Sequence, residues 1–198
     1  MLSPLEQRRQ LLHTATLLIP LLYWFFPDIG SLTGQQWVLL MFVVFGGLFV
    51  FADYFRRYNS FIKRVFLWLV SPFIRDVEED RMTNASHIGI TFFLVLLIFP
   101  KNISVPACML LSVADSASGI VGRMWGKRTW YKNYTYAGTF AFIVAGFLLY
   151  LFAFPYITVW KAALVVVMCA LFEGLMSHYD DNVVIPIAAA VMLMMLEV

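Results

Sequence analysis

Ile103-Ser-Val-Pro-Ala-Cys-Met-Leu-Leu-Ser-Val-Ala-Asp115-Ser-Ala-Ser-Gly-Ile-Val121 is apolar enough to sit in a bilayer, yet it holds a carboxylate near its end. An ionised side chain inside a membrane segment costs several kcal/mol, so such residues are rare and carry function. Ser118, Gly119 and Gly122 follow Asp115 at i+3, i+4 and i+7, on one helical face. That face is small, polar and open. Gly126, Lys127, Arg128 and Lys132 come next. A carboxylate, close-approach glycines and a lysine cluster are what a metal–phosphate ligand requires.

The rest of the chain agrees with a membrane protein. It is 62% hydrophobic and 13% charged, with a mean hydropathy of +0.81. A soluble domain carries about 25% charged residues. The expectation is all-α, polytopic and integral to the membrane, with residues 1–198 as one membrane-embedded domain. Cys108 and Cys169 fall in apolar segments and read as small buried hydrophobes. The first apolar segment is followed by Pro27-Asp28, so no cleavable signal peptide is expected.

Seven apolar segments are counted: Leu11–Phe26, Gln36–Ala52, His87–Pro100, Ile103–Val121, Tyr136–Phe154, Trp160–Ser177 and Val183–Leu196. A perpendicular span needs about 20 residues, so the third is short. Between the second and third lies Phe61–Phe73, interrupted by Lys63 and Arg64. Phe61, Val65, Leu69 and Phe73 recur at i+4, which predicts an amphipathic helix lying on the membrane surface. With the N-terminus inside, 12 of the 14 basic residues are cytoplasmic, leaving Lys101 and Lys161 outside. Basic residues favour cytoplasmic loops, so the expected topology is N-in, C-out. The membrane would be the cell membrane of a bacterium or an endomembrane. The polar residues then collect at the cytoplasmic face, and Asp115 lies about 9 Å from that end of its span at helical rise.

Four clusters could meet there. Glu6, Arg8, Arg9 and His13 open the first segment, where a plain basic anchor is the competing reading. Asp53 and Arg56 close the second, spaced as an i,i+3 ion pair. Thr83, Asn84 and His87 lead into the third; such a helix start is both a capped terminus and an anion site. Glu173 is a second acid in an apolar span, followed by His178, Asp180, Asp181 and Asn182. Hard oxygen donors of this kind suit Mg²⁺ shared with phosphate oxygens. Asp76, Glu78, Glu79 and Asp80 read as a solvated acidic patch. No catalytic triad, zinc-ligand spacing, Walker glycine loop or nucleic-acid-binding pattern is visible, so nucleic acid is not an expected partner.

The segment Asp115-Ser-Ala-Ser-Gly-Ile-Val-Gly-Arg-Met-Trp-Gly-Lys127 resembles the D-x-x-A-x-x-x-G-x-x-x-G-K stretch of the CTP-dependent lipid-alcohol kinases: dolichol, phytol and diacylglycerol kinases. Lys132-Asn-Tyr-Thr-Tyr-Ala-Gly-Thr139 is similar to their following K-S-x-x-G-S segment, with Asn133 where Ser is usual. Glu173-Gly and Asp181-Asn-Val-Val-Ile-Pro186 resemble their closing E…D-N-x-x-x-P. The matches run in family order over most of the chain. The related phosphatidate cytidylyltransferases carry a Ser-Pro-Lys-Lys-Thr run that is absent here, and Ala137 stands where their Glu would be.

The resemblance implies a membrane kinase moving the γ-phosphate of CTP to a lipid alcohol (a polyprenol, a prenol or diacylglycerol), with Mg²⁺ as cofactor. Asp115, Asp181 and Glu173 would be catalytic and hold the metal. Ser118, Gly119, Gly122, Gly126, Lys127, Lys132, Gly138, Thr139 and Asn182 would bind nucleotide phosphates. His13, Asp53, Arg56, Thr83, Asn84 and His87 would stand near the substrate or behind the site. A homodimer is compatible with the chain. A cytidylyltransferase making a CDP-lipid and a small transporter or lipid-binding scaffold are the competing readings.

Overall fold

The computed structural model describes residues 4–73, 81–176 and 179–198. The acidic patch at 76–80 and His178 lie outside them. The described chain runs α1 Pro4–Ala15, α2 Leu18–Phe25, α3 Gly34–Phe55, α4 Ser60–Val70, α5 Asn84–Ile98 and α6 Lys101–Trp125. A hairpin of β1 Thr129–Tyr131 and β2 Tyr134–Thr135 follows, then α7 Tyr136–Ala153, α8 Val159–Leu175 and α9 Asp181–Met195. Among the described residues the fold is all-α apart from that hairpin and an isolated bridge between Ile29 and Leu32.

Among the described residues, three helices, α3, α6 and α7, are long and apolar enough to cross a membrane. Helices α5 and α9 are apolar but only 15 residues each. The segment expected as one span over Leu11–Phe26 is two helices, α1 and α2. Pro20 has no N–H for the Thr16 carbonyl. The chain tightens there into i→i+3 bonds, Leu17 N to Thr14 O and Ile19 N to Thr16 O.

Burial orders the helices from the centre outward. In α6, 61% of the apolar window is enclosed by protein, against 22% in α7 and 11% in α3. So α6 is the axis of the bundle, and α3 turns Val43, Val44, Phe45 and Leu48 outward. An apolar exterior of this kind belongs in lipid. The core joins Leu110, Leu111 and Ala114 of α6 to Phe142 and Tyr150 of α7, Val166 and Cys169 of α8, and Ile185 and Ala189 of α9. Both cysteines are buried free thiols, as expected.

Helix α4 follows the expected amphipathic pattern. Asn59 caps it, accepting from the Phe61 and Ile62 N–H groups. Phe66 packs inward against Phe49 of α3. Phe61, Val65 and Leu69 face away from the protein, where a membrane surface would cover them.

Two details position the site. The α6 backbone opens into a π turn over Leu111–Asp115, so Asp115 closes the irregular turn before α-helix resumes. Such turns inside helices are frequent at functional sites. The hairpin β1–β2 is pinned by Trp130, whose Nε1 donates to Thr139 Oγ1 at 2.7 Å and whose ring fills the space over Gly174.

Candidate functional site

One cavity of about 500 Å³ gathers the polar residues of α1, α5, α6, β2, α7, α8 and α9. Asp115, Glu173 and Asp181 line it, with Ser118, Gly119, Gly122, Gly138, Thr139, Asn182, His13, Thr83 and Asn84. Twelve residues separated by up to 169 positions therefore share one wall system.

Each acid has a distinct setting. Asp115 Oδ2 lies 3.0 Å from His13 Nε2, and its side chain is 24% exposed. Glu173 is buried; its Oε1 accepts from Ser118 Oγ at 3.0 Å. Its Oε2 is buried without a hydrogen-bond partner among the described residues. Asp181 Oδ2 accepts from the Tyr134 hydroxyl at 2.8 Å. Burial, then the Asp181 charge, push the Tyr134 phenol well above its ordinary pKa, so it stays a proton donor.

Three helices begin at this cavity. Thr83 caps α5 through the Ser86 N–H, Thr135 caps α7 through the Gly138 N–H, and Asp180 caps α9 through the Asn182 N–H. The first residues of all three line the cavity. A helix N-terminus presents unpaired N–H groups and the positive end of the macrodipole. Three together favour an anion against a wall of acids. A ligand that is anionic and carries a cation would meet both demands.

The acids fit a hard divalent cation of that kind. Among the described residues, no three His, Cys, Asp or Glu side chains stand close enough to enclose a metal alone. Mg²⁺ takes one or two carboxylates and completes its shell with water and phosphate oxygens. An orphaned carboxylate oxygen on Glu173 and two further acids on the same cavity match that partial donor set.

The glycines serve the wall itself. A Cβ on Gly122 would stand 3.0 Å from Thr135 Oγ1, and one on Gly138 would stand 3.1 Å from Ser118 O. Small residues here let α6 and α7 approach closely. Gly126 closes α6, with its N–H bonded to Gly122 O, and lies outside the cavity lining.

Other expected residues stand elsewhere. Lys127 and Lys132 are not among the lining residues. Lys132 occupies the hairpin turn with φ of 41°, its Nζ over the Tyr131 ring. Asp53 and Arg56 are buried together behind the cavity. Arg56 Nε donates to Asp53 Oδ1 at 2.7 Å, and Asp53 Oδ2 accepts from Thr83 N at 2.8 Å. That pair fixes the start of α5, and neither residue is among those lining the cavity. His87 pairs with Asp180, one residue from Asp181. Burial alone would raise the Asp180 carboxyl; the His87 and Asn182 hydrogen bonds outweigh it and hold Asp180 below the usual carboxylate range.

Several lining residues had weak sequence signals. Arg9 was visible only within the N-terminal cluster, where a plain basic anchor competed. Arg123, Asn133, Tyr134 and Thr135 depend on how the hairpin folds back over α6, which periodicity does not encode.

No family model matches the chain, and no solved structure matches it. An uncharacterized protein of Rickettsia prowazekii is 22% identical over 192 residues, covering 92% of this chain and 90% of that protein. The CTP-dependent diacylglycerol kinase 1 of Schizosaccharomyces pombe is 33% identical over 85 residues. That match covers 42% of this chain, and the chain spans 39% of the kinase's length. The chain is thus similar in part to a lipid kinase, and its apolar helices are those of a membrane protein.

Proposed function

We propose that this chain is an integral membrane kinase that transfers the γ-phosphate of CTP to the hydroxyl of a lipid alcohol at the cytoplasmic face. The supporting observation is the cavity in which three carboxylates and three helix N-termini meet. The partial similarity to a CTP-dependent diacylglycerol kinase supports the donor and the acceptor class. The proposed topology has seven membrane-inserted segments, N-in and C-out, supported by the distribution of Lys and Arg. The shorter ones, α5 and α9, would sit beside the cavity that their N-termini help to form.

Phosphoryl transfer depends on charge neutralisation and in-line positioning more than on covalent chemistry. The lipid hydroxyl oxygen attacks the γ-phosphorus, the bond to the β–γ bridging oxygen breaks, and CDP leaves. The hydroxyl proton passes to a cavity carboxylate, Asp115 or Asp181. His13 Nε2 stands beside Asp115 Oδ2 and would orient that carboxylate. Tyr134 holds Asp181 by a single donated hydrogen bond. Asp115, Asp181 and Glu173 would hold Mg²⁺, which supplies charge neutralisation on the phosphates. Helix N–H groups of α5, α7 and α9 face the remaining phosphate charge.

The test uses detergent-purified protein, Mg²⁺ and CTP labelled in the γ position, with a panel of prenols, polyprenols and diacylglycerol. Label in the lipid product supports the kinase, and Asp115→Asn should abolish it. Pyrophosphate release with a CDP-lipid product, or no transfer to any lipid alcohol, refutes it.

A further inference from the structure

We infer that Arg9 and Arg123 form a polyphosphate subsite and that Glu6 is an internal anion lodged in it until a phosphate arrives. This rests on the phosphotransferase reading and names the groups that would hold its donor. The lining of the cavity includes two permanent cations, Arg9 from α1 and Arg123 from α6. The lysines expected in this role, Lys127 and Lys132, lie outside the lining.

Both arginines bond the same carboxylate. Arg9 Nη1 donates to Glu6 Oε1 at 3.2 Å and to Oε2 at 3.0 Å. Arg123 Nη1 donates to Glu6 Oε1, and Gln10 Nε2 approaches the same oxygen at 3.5 Å. Two guanidinium groups converging on one carboxylate mark an anion position. The N–H fork that reads a carboxylate reads a phosphate equally well. Glu6 supplies a single carboxylate to the two guanidinium groups. A terminal phosphate brings more charge and more acceptor oxygens than a carboxylate. It would displace Glu6 for that reason.

Exposure gives the direction of entry. The Glu6 and Arg9 side chains are 13% and 16% exposed, whereas Arg123 is 40% exposed. The anion would therefore be met first by Arg123, at the end of α6, and then by Arg9 deeper on α1. Asp115 stands two helical turns before Arg123 on α6. A triphosphate has the length to touch both the arginines and the acids with their cation. Glu6 then sets the affinity for the donor by competing with it.

The experiment measures binding to the full-length protein in detergent with Mg²⁺, using inorganic tripolyphosphate and, separately, uncharged cytidine. Arg123→Gln is expected to weaken tripolyphosphate roughly tenfold or more, the scale of one hydrogen bond to a charged group, and to leave cytidine unchanged. Glu6→Gln keeps the shape, removes the competing charge, and is expected to tighten tripolyphosphate several-fold. A gain in affinity cannot come from misfolding. Unchanged tripolyphosphate affinity in both variants overturns the subsite, as does failure of the wild type to bind tripolyphosphate. The two proposals fail separately. Tripolyphosphate binding through the arginines without any lipid phosphorylation sustains the subsite and sinks the kinase. Lipid phosphorylation with an unaltered KM for CTP in Arg123→Gln does the reverse.

Discussion

Gly174→Ala should damage the site more than its size implies. Gly174 follows Glu173 directly on α8. A Cβ at that position would stand 2.3 Å from Trp130 Cη2 and 2.4 Å from Cζ2. Carbon atoms in contact rest about 3.5–4.0 Å apart, so the indole must retreat by more than about 1 Å. It cannot pivot in place, because its Nε1 donates to Thr139 Oγ1. The ring is carried on β1, which pairs with β2, and β2 holds Tyr134 against Asp181. The retreat therefore reaches a cavity carboxylate. Overpacking of this kind costs about 1–3 kcal/mol, or roughly 2–10 °C in apparent melting temperature for a chain of this length. A displacement near 1 Å at a reacting group costs about a hundredfold in rate. Gly146→Ala is the matched control, since its Cβ would meet Leu110 Cδ1 at 2.7 Å and Val166 Cγ1 at 3.0 Å, deep in the core. The measurement is thermal melting of both variants in detergent beside γ-phosphoryl transfer to lipid. Gly174→Ala should lose melting temperature and most turnover; Gly146→Ala should lose melting temperature alone. Wild-type turnover in Gly174→Ala, or equal loss of turnover in both, refutes the coupling through the hairpin. Adding Gly174→Ala to Trp130→Ala should cost little more than Trp130→Ala alone, because the clash has gone.

Asp53→Asn removes the carboxylate that Arg56 Nε bonds in the protein interior, and the expected loss is about 3–5 kcal/mol, read as a large fall in melting temperature; wild-type melting would show that the Asp53 hydrogen bonds to Thr83 and Ser86 carry the junction without the charge. Acid should unfold the wild type partly through Asp180. Its carboxyl is held below the ordinary value of 3.8 in the folded state, so its contribution is fully present above that pH and is lost as pH falls through the lower folded value. Melting measured from pH 6 downward should therefore fall more steeply below about pH 4 in the wild type than in Asp180→Asn, and parallel curves would remove Asp180 as the cause.

The residue pattern revealed the helices better than their grouping. Apolar runs with charged or Gly/Pro ends foretold α3, α6, α7, α8 and α9 to within a few residues, because a long apolar helix is written locally in its composition. The break between α1 and α2 was missed because it rests on a single absent N–H at Pro20. The amphipathic face of α4 was legible from its i+4 stripe; Phe61, Val65 and Leu69 do face outward, whereas Phe73 lies beyond the helix and lines the cavity. In the cavity, Asp115 and Glu173 were legible because an acid in an apolar run stands out against its surroundings. The lysines stood out too, yet neither lines the cavity. Lys127 and Lys132 flank a hairpin, and sequence spacing does not report which way a hairpin folds. Arg9 and Arg123 were outweighed by them, since an arginine near a membrane end looks like an anchor.

Asp53 shows how an ion pair legible in the sequence can have its consequence elsewhere in the fold. An acid and an arginine at i,i+3 were expected to pair, and they do. The pair's work lies one step further on. Asp53 accepts from the Thr83 N–H and hydroxyl, and Arg56 Nη2 donates to the Arg81 carbonyl at 2.7 Å. Arg56 also stacks over Phe66 of the surface helix, 4.9 Å from the ring centre. One buried ion pair thus joins the end of α3, the surface helix α4 and the first turn of α5. Thr83 and Asn84 of that turn line the cavity. An ionic junction is costly to bury and tolerates little change in geometry, whereas an apolar contact would let α5 slide. A helix whose N-terminus serves an anion must be held in rotation as well as in position, because its N–H groups point along one axis. The buried charge pair provides that restraint, and it explains why two ionised side chains remain inside a segment otherwise fit for lipid.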